Sequence, residues 1–353
     1  MTTTPTASQP AARQPVYVYI AGRGHSGSTL LTLLLARHPR VAAVGELSLL
    51  PLQIARDGDG TRWVGQCGCG ERPLDCPVWG SLLAEVGRDE GVDFARTPFR
   101  WRISDVGMEE EYRGRALLRA PLVLLRNRLW RLLRYVQYQW PRSLGPLLAW
   151  YRPQAAWAAR RSRLAARLAA HYDVDAIVDA SKDPLDMLDL CRHATLPVRI
   201  VFLTRDARGN VWSMLRRRVA HGLSRDDAVA PAAREWKKVN GRIWRLFRRV
   251  PADSRMHIRY EDLCRDPERT MARLFDFIGL GAADVISATG EAHAAAASTH
   301  TIGGNKIRFT GKPLEVREDV AWQSNLTRDE LTVIDEVAGG LSRALGYERP
   351  AGG

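Results

Sequence analysis

A chain of 353 residues, 45% of them hydrophobic, can bury a full core, and its five unevenly spread cysteines exclude the disulfide framework of a small secreted domain. No uncharged apolar run reaches transmembrane length, so a soluble, cytoplasmic protein is expected. The formal net charge of +13 points to anionic ligands, acidic surfaces or polyanions without choosing among them.

Residues 1–15 are polar, spotted with proline and free of an apolar segment, and are expected to form a disordered leader rather than a signal peptide. Val16–Leu35 then reads V-Y-V-Y-I-A-G-R-G-H-S-G-S-T-L-L-T-L-L-L: a short apolar strand, a glycine-rich turn and an apolar helix. That order makes an anion cradle. Gly22, Gly24 and Gly27 let backbone N–H groups approach a phosphate, the helix N-terminus adds its dipole, and Ser26, Ser28 and Thr29 add hydroxyls. The nucleotide-triphosphate frame G-x-x-x-x-G-K-[ST] fits at Gly22 and Gly27, but Ser28 stands where the lysine belongs, which disfavours an ordinary ATP or GTP site. The plain alternative is a turn that only closes a strand–helix pair.

Further along, Cys67, Cys69 and Cys76 cluster in C-G-C-G-E-R-P-L-D-C-P-V-W. They offer three soft ligands. A tetrahedral zinc site would need a fourth from a distant histidine, and a local disulfide or a reduced, packed loop are the alternatives. Cys191 and Cys264 read as isolated buried thiols.

After the first strand, strand-like runs recur at Val174–Val178, Val198–Thr204 and Met256–Tyr260 with helical patterns between them. The expected fold is therefore α/β, a parallel sheet with helices on both faces. Ligands of such sheets lie at the carboxyl ends of the strands, which here carry G-R-G-H-S-G-S-T, A-S-K-D-P, R-D-A-R-G-N and Y-E-D-L. About 150 residues separate the first of these runs from the second, far more than a crossover helix requires. This implies a large helical insertion at about 90–172, with helical pattern over Arg113–Tyr138 and Gln154–Tyr172.

Between Glu111 and Ala170 stand thirteen arginines, no lysine and one acidic residue, Glu111, so nearly all the net charge is local. Two readings stay open: a solvated arginine-rich face on a helical subdomain, or a lid or docking surface for an acidic or amphiphilic acceptor, including one at an anionic membrane.

With its motifs placed, the chain resembles the sulfotransferases that use 3′-phosphoadenosine-5′-phosphosulfate (PAPS). Its spacings are nearest to the tyrosylprotein-sulfotransferase-like and the bacterial carbohydrate or natural-product branches. The resemblance covers Val16–Glu46 and about Ala176–Asp319, and it implies one P-loop-like sulfotransferase domain over 16–350. Ser26, Gly27, Ser28 and Thr29 match the family's 5′-phosphosulfate loop, usually [KR]-S-G-[ST]-T, with Gly24 just before it and His25 in the place of the cation. Either His25 acts as donor or cation there, or Arg23 reaches in from two residues earlier. A histidine among phosphates tends to be protonated, because neighbouring negative charge favours its charged form.

Arg205 and, eight residues later, Ser213 resemble the family's 3′-phosphate site. Glu46, twenty-one residues after His25, resembles the catalytic base of the tyrosylprotein enzymes, and Lys182 in D-A-S-K-D-P aligns with the lysine of their N-K-D-P segment. Tyr260 in Y-E-D-L is placed to approach the nucleotide. S-T-H-T-I-G-G-N-K-I-R-F resembles a C-terminal loop of bacterial members, in which Asn305, Lys306 and Arg308 would close over the phosphates. His300 either joins that closure or is an ordinary loop histidine.

The resemblance implies sulfuryl transfer from PAPS to a hydroxyl of a glycan, lipid or natural-product acceptor, leaving adenosine 3′,5′-bisphosphate (PAP). The expected base is Glu46, with Lys182 and His25 completing the catalytic set, no metal, and no nucleic-acid partner. The rival readings are a Mg-ATP-dependent P-loop small-molecule kinase and a non-catalytic protein that binds polyanions or membrane surfaces.

Overall fold

Five short runs, four rich in Val, Ile, Ala or Phe and the last R-M-H-I-R, pair side by side in a computed structural model that describes residues 14–56, 65–105, 120–139, 153–220, 222, 224–281, 300–304 and 316–348. In chain order the elements are β1 (Val16–Gly22), α1 (Ser28–Leu35), β2 (Val41–Gly45), α2 (Leu50–Ala55), α3 (Trp79–Glu90), α4 (Ala120–Gln139), α5 (Pro153–Tyr172), β3 (Ala176–Lys182), α6 (Pro184–His193), β4 (Val198–Thr204), α7 (Ala207–Ala220), α8 (Arg225–Phe247), β5 (Arg255–Arg259), α9 (Tyr260–Arg265), α10 (Pro267–Ile278), α11 (Trp322–Asn325) and α12 (Arg328–Ala344). The strands form one sheet in the order β2-β3-β1-β4-β5. Every pairing in it is parallel.

The two-residue period of a strand divides the core into two layers. Tyr17, Tyr19 and Ala21 of β1 face one apolar cluster together with Ile200 and Phe202 of β4, packed against α5, α6 and α8. Val18 and Ile20 face the other, with Val201 and Leu203, against α1 and α10. Because both faces are covered, the strands read as continuous apolar runs rather than as alternating ones. This is the expected α/β arrangement, with helices on both faces.

One strand was not foreseen. Val41–Gly45, V-A-A-V-G, forms β2 at the sheet edge beside β3. The stretch of about 150 residues expected to contain no strand therefore contains one, and Glu46 stands between its end and the short 3-10 turn Leu47–Leu49 that it caps. Sequence order leaves β1 next to both β3 and β4, so the chain passes to opposite sides of β1 and opens a crevice at its carboxyl end.

The helices α4 and α5 fall within the expected insertion, whose residues 106–119 and 140–152 lie outside the described set. Six of their arginines pair with carboxylates, Arg134 and Arg161 as buried groups and Arg163 at an exposed position. Arg134 contacts Asp105 (3.1 Å), Asp186 (2.7 Å) and Asp189, while Arg161 contacts Asp186 (2.8 Å). Arg131 pairs with Asp183 and Asp105 (2.5 and 3.3 Å), Arg160 and Arg163 with Glu90 (2.9 and 2.8 Å), and Arg167 with Asp89. Burial opposes charge here, yet Arg161 and Arg134 outweigh it and hold the Asp186 carboxyl below the usual range. Arg131, Arg134 and Arg161 therefore tie the insertion to Asp183 and α6 beside the sheet, while Arg160, Arg163 and Arg167 tie α5 to α3.

Among the described residues, no helix is long and apolar enough to cross a membrane. The expected leader lies outside the described set apart from Gln14 and Pro15.

Candidate functional site

The crevice at the end of β1 is floored by the glycine-rich turn. Gly27 sits at φ 86°, the left-handed region that favours glycine, and the Tyr260 ring packs so closely on it that a Cβ there would lie 2.5 Å from Tyr260 Cδ2. Residue 27 must be glycine for both reasons, and Tyr260 is thereby placed against the turn. His25 also has positive φ, 67°, uncommon for a residue with a side chain and a mark of a tightly constrained turn. The first turn of α1 has neither a side-chain cap nor an acidic residue, so its dipole faces the crevice unopposed. Among the described residues the buried Ser26 hydroxyl has no hydrogen-bond partner. A donor hydroxyl, glycine backbone and helix N-terminus in one concavity fit an anion.

Glu46 and Lys182 meet at the ends of β2 and β3. Lys182 Nζ donates to Glu46 Oε1 at 2.5 Å, and each side chain is about one-fifth exposed. Lys182 likewise has positive φ, 70°. Between them lies a buried carboxylate that the sequence reading did not single out. Asp179 accepts from Tyr17 Oη (2.6 Å), from the Leu47 and Ser181 backbone N–H groups (3.2 and 2.9 Å), and from the Ser181 hydroxyl. Ser48 N–H donates in turn to Ser181 Oγ (2.9 Å). This network fastens the segment after Glu46 to the strand that carries Lys182. Burial pushes the Asp179 carboxyl above its usual range despite Arg161 and these donors.

On the other side of β1, Arg205 at the end of β4 donates to Ser213 Oγ of α7 at 3.2 Å, so the two expected 3′-phosphate residues are neighbours. The guanidinium lies 4.7 Å from the centre of the Tyr260 ring and donates to the His25 carbonyl (3.4 Å), which brings three of the motifs into contact. Its Nε is buried without a partner, but its Nη2 pairs with Asp319 Oδ2 at 3.0 Å. Asp319 was not anticipated. Partial burial works against its charge, yet Arg205 holds the carboxyl below the usual range.

Of the two candidates for the missing loop cation, Arg23 is fastened elsewhere: its guanidinium donates to Asn210 Oδ1 (2.6 Å) and to Glu235 (2.8 Å). His25 is exposed beside the turn. The partial burial of its surroundings and then the cations Arg23, Arg217, Arg205 and Lys182 hold its pKa below the usual histidine value. In the chain by itself this histidine is thus biased toward the neutral form, while the protonated form is the one expected once phosphates fill the pocket.

Ser28 and Thr29 open α1, with Ser28 buried and its carbonyl accepting from Thr32 Oγ1 at 2.7 Å. Gly24, exposed before them, accepts from Asn210 Nδ2 at 3.1 Å through its carbonyl. Asn305, Lys306 and Arg308 lie outside the described residues. His300 does not join this crevice; it sits with Cys67 and Cys76.

The model of the Sulfotransferase family matches residues 15–284. Among curated proteins none matches the chain. Solved structures similar to it include the sulfotransferase domain of the Synechococcus PCC 7002 olefin synthase, at 18% identity over 97% of this chain and 98% of that one, TM-score 0.46. The sulfotransferase domain of the curacin biosynthetic pathway follows at 16% identity over 96% and 100%, TM-score 0.47. Sulfotransferase STF9 from Mycobacterium avium is 11% identical over 96% and 78%, TM-score 0.42. The family match spans the turn, both catalytic candidates, the Arg205–Ser213 pair and Tyr260, and by it the chain belongs to the sulfotransferase family.

Proposed function

We propose that this sulfotransferase takes its sulfuryl group from PAPS and passes it to a hydroxyl of a glycan, lipid or natural-product acceptor, with Glu46 as the base. The observation that carries this reading is the contact of Glu46 with Lys182 beside the phosphate turn. A proton acceptor and a cation from adjacent strand ends share one crevice, as in-line transfer to a hydroxyl requires. The chain's residues also fit the donor. The partnerless Ser26 hydroxyl and Arg205 Nε offer buried hydrogen bonds at the two places where a 5′- and a 3′-phosphate would sit.

Bound PAPS supplies a sulfuryl group on a phosphate that leaves within PAP. Glu46 takes the proton from the acceptor hydroxyl as its oxygen bonds to sulfur. Lys182, the turn's N–H groups and His25 would stabilise the departing phosphate oxygen, the role that magnesium and lysine share in kinases. Arg205 and Ser213 would hold the 3′-phosphate, with Tyr260 walling the site. Gly27 and Ser28 at the turn favour this reading over an ATP-dependent kinase, since no lysine follows the second glycine.

Thermal melts test the proposal, with PAP and heparin in EDTA-containing buffer and ATP in a parallel sample with magnesium, because a ligand that binds only the folded chain raises its melting temperature. PAP should raise it, and Mg-ATP and heparin should not. A shift with Mg-ATP and none with saturating PAP would remove PAPS as donor.

A further inference from the structure

The cysteine cluster does have a fourth member. Cys67 Sγ, Cys69 Sγ, Cys76 Sγ and His300 Nδ1 all lie within 4.8 Å of one another. Cys76 Sγ is 3.6 Å from Cys67 Sγ, 3.8 Å from Cys69 Sγ and 3.2 Å from His300 Nδ1, while Cys67 Sγ is 3.9 Å from that nitrogen. Zinc bonded to sulfur at about 2.3 Å and to nitrogen at about 2.0–2.1 Å sets tetrahedral edges of about 3.8 Å between sulfurs and about 3.6 Å between sulfur and nitrogen. These four separations scatter about those edges, and the remaining two pairs lie within 4.8 Å. A disulfide between two of the cysteines would leave the remaining thiol and the imidazole aimed at the same point without a partner.

The backbone holds this arrangement from three sides. After Cys67 the chain reverses through Gly70 at φ 96°, with Gly70 N–H donating to the Cys67 carbonyl (2.9 Å) and Cys67 N–H to that of Glu71 (2.7 Å). Cys76 comes just before α3, whose Trp79 N–H points at its sulfur from 3.5 Å, a setting that favours a thiolate. His300 is fixed through its carbonyl, which accepts from Trp79 Nε1 at 2.8 Å, and through Thr301, whose carbonyl accepts from Gly68 N–H at 2.9 Å.

We propose that Cys67, Cys69 and Cys76 through Sγ and His300 through Nδ1 bind one zinc ion in a closed, structural tetrahedral site. All four positions are filled by the chain, which leaves none for substrate. Binding replaces the three thiol protons, which pass to solvent. The expectation that no metal is needed concerned the transfer step, in which this ion takes no part.

Its place explains its use. Two residues after His300, Ile302 bridges Cys67 on one side and Gly45 on the other. Ile302 N–H donates to Val44 O (2.9 Å) and its carbonyl accepts from Glu46 N–H (2.6 Å). Gly45, at φ 80°, admits this approach only because it lacks a Cβ, which would lie 2.2 Å from the Ile302 oxygen. The ion thus clamps residues 300–304 across the end of β2 and makes His300 a positioning residue for Glu46. The site does not depend on which donor or acceptor the enzyme uses.

The test is metal analysis of the full chain, produced with zinc, purified under reducing conditions and dialysed exhaustively. One zinc per chain is expected, falling to background in Cys76→Ser and in His300→Ala and unchanged in Cys191→Ser. As those two variants can fail to fold, the wild-type chain is also loaded with cobalt(II). A tetrahedral thiolate site gives intense visible d–d bands and thiolate-to-cobalt charge transfer, and zinc should abolish both by displacement. Substoichiometric zinc together with weak, octahedral-type cobalt bands would overturn the proposal, as would a disulfide among the three cysteines in protein purified without reductant.

Discussion

The carboxylate of Glu46 and the ammonium of Lys182 meet at 2.5 Å across 136 residues of sequence, each presented by the end of a different parallel strand. Two devices hold them there: the Asp179 hydrogen bonds that bind the segment after Glu46 to β3, and the Ile302 carbonyl that accepts the Glu46 N–H. Glu46→Gln keeps the shape and removes the base, so turnover should fall by at least about a hundredfold with little change in the Kd for PAP. Lys182→Ala should damage turnover similarly. Steady-state rates with calorimetric PAP titrations separate the two quantities, and full turnover in Glu46→Gln would assign the proton to another residue.

Arg205 is shared between Ser213 and Asp319, so under the proposed function an incoming 3′-phosphate would compete with the carboxylate. Arg205→Ala removes charged hydrogen bonds worth about 1.5–3 kcal/mol, weakening PAP by roughly ten- to a hundredfold. Asp319→Asn should act in the opposite direction and tighten PAP severalfold by releasing the guanidinium. A weaker Kd in Asp319→Asn would mean that Asp319 orients Arg205 rather than competing for it.

Under the proposed function, the burial and the cations that lower the His25 pKa should make PAP binding pH-dependent. A folded-state pKa below the unfolded value means that the unfolded chain binds more protons in that window, so the apo chain loses stability as pH falls below about 6.5. A bound polyanion favours the imidazolium, so binding takes up a proton and affinity rises as pH falls. PAP has its own phosphate titration near about pH 6, which both chains experience. The comparison is therefore between wild type and His25→Gln. The affinity advantage of wild type should grow between about pH 7.5 and about pH 5.5. A ratio independent of pH would take His25 out of the phosphate's surroundings.

The buried arginine ties predict a large stability effect. Asp186→Ala leaves Arg134 and Arg161 without a shared carboxylate and should cost about 3–5 kcal/mol in denaturant unfolding. A cost within about 0.5 kcal/mol, as for an ordinary surface substitution, would show that the insertion is held by other contacts.

The parallel sheet and the order of its motifs were legible because strands buried on both faces leave apolar runs punctuated by glycine and charge. β2 was not, since V-A-A-V-G is only five residues long and two of them are alanine, which favours helix. The arginine block looked unbalanced within 111–170 because its carboxylates lie outside that window, at Asp89, Glu90 and Asp105 before it and at Asp183, Asp186 and Asp189 after it. A charge count along the chain cannot see pairs made across it. Arg205 with Asp319, 114 residues apart, and Cys76 with His300, 224 apart, escape spacing arguments for the same reason. Glu46, Lys182, Arg205 and Ser213 were singled out by motif spacing and family resemblance; the structure puts Glu46, Lys182 and Arg205 directly at strand ends and Ser213 within α7.

Sulfuryl transfer from PAPS is tested most directly by incubating the enzyme and PAPS with an extract of the host cell and following both products by mass spectrometry. Release of PAP should be matched by a hydroxyl compound that gains one sulfuryl group, and both signals should vanish with Glu46→Gln. Phosphorylated products formed from Mg-ATP, with no PAP released from PAPS in the same extract, would contradict the account.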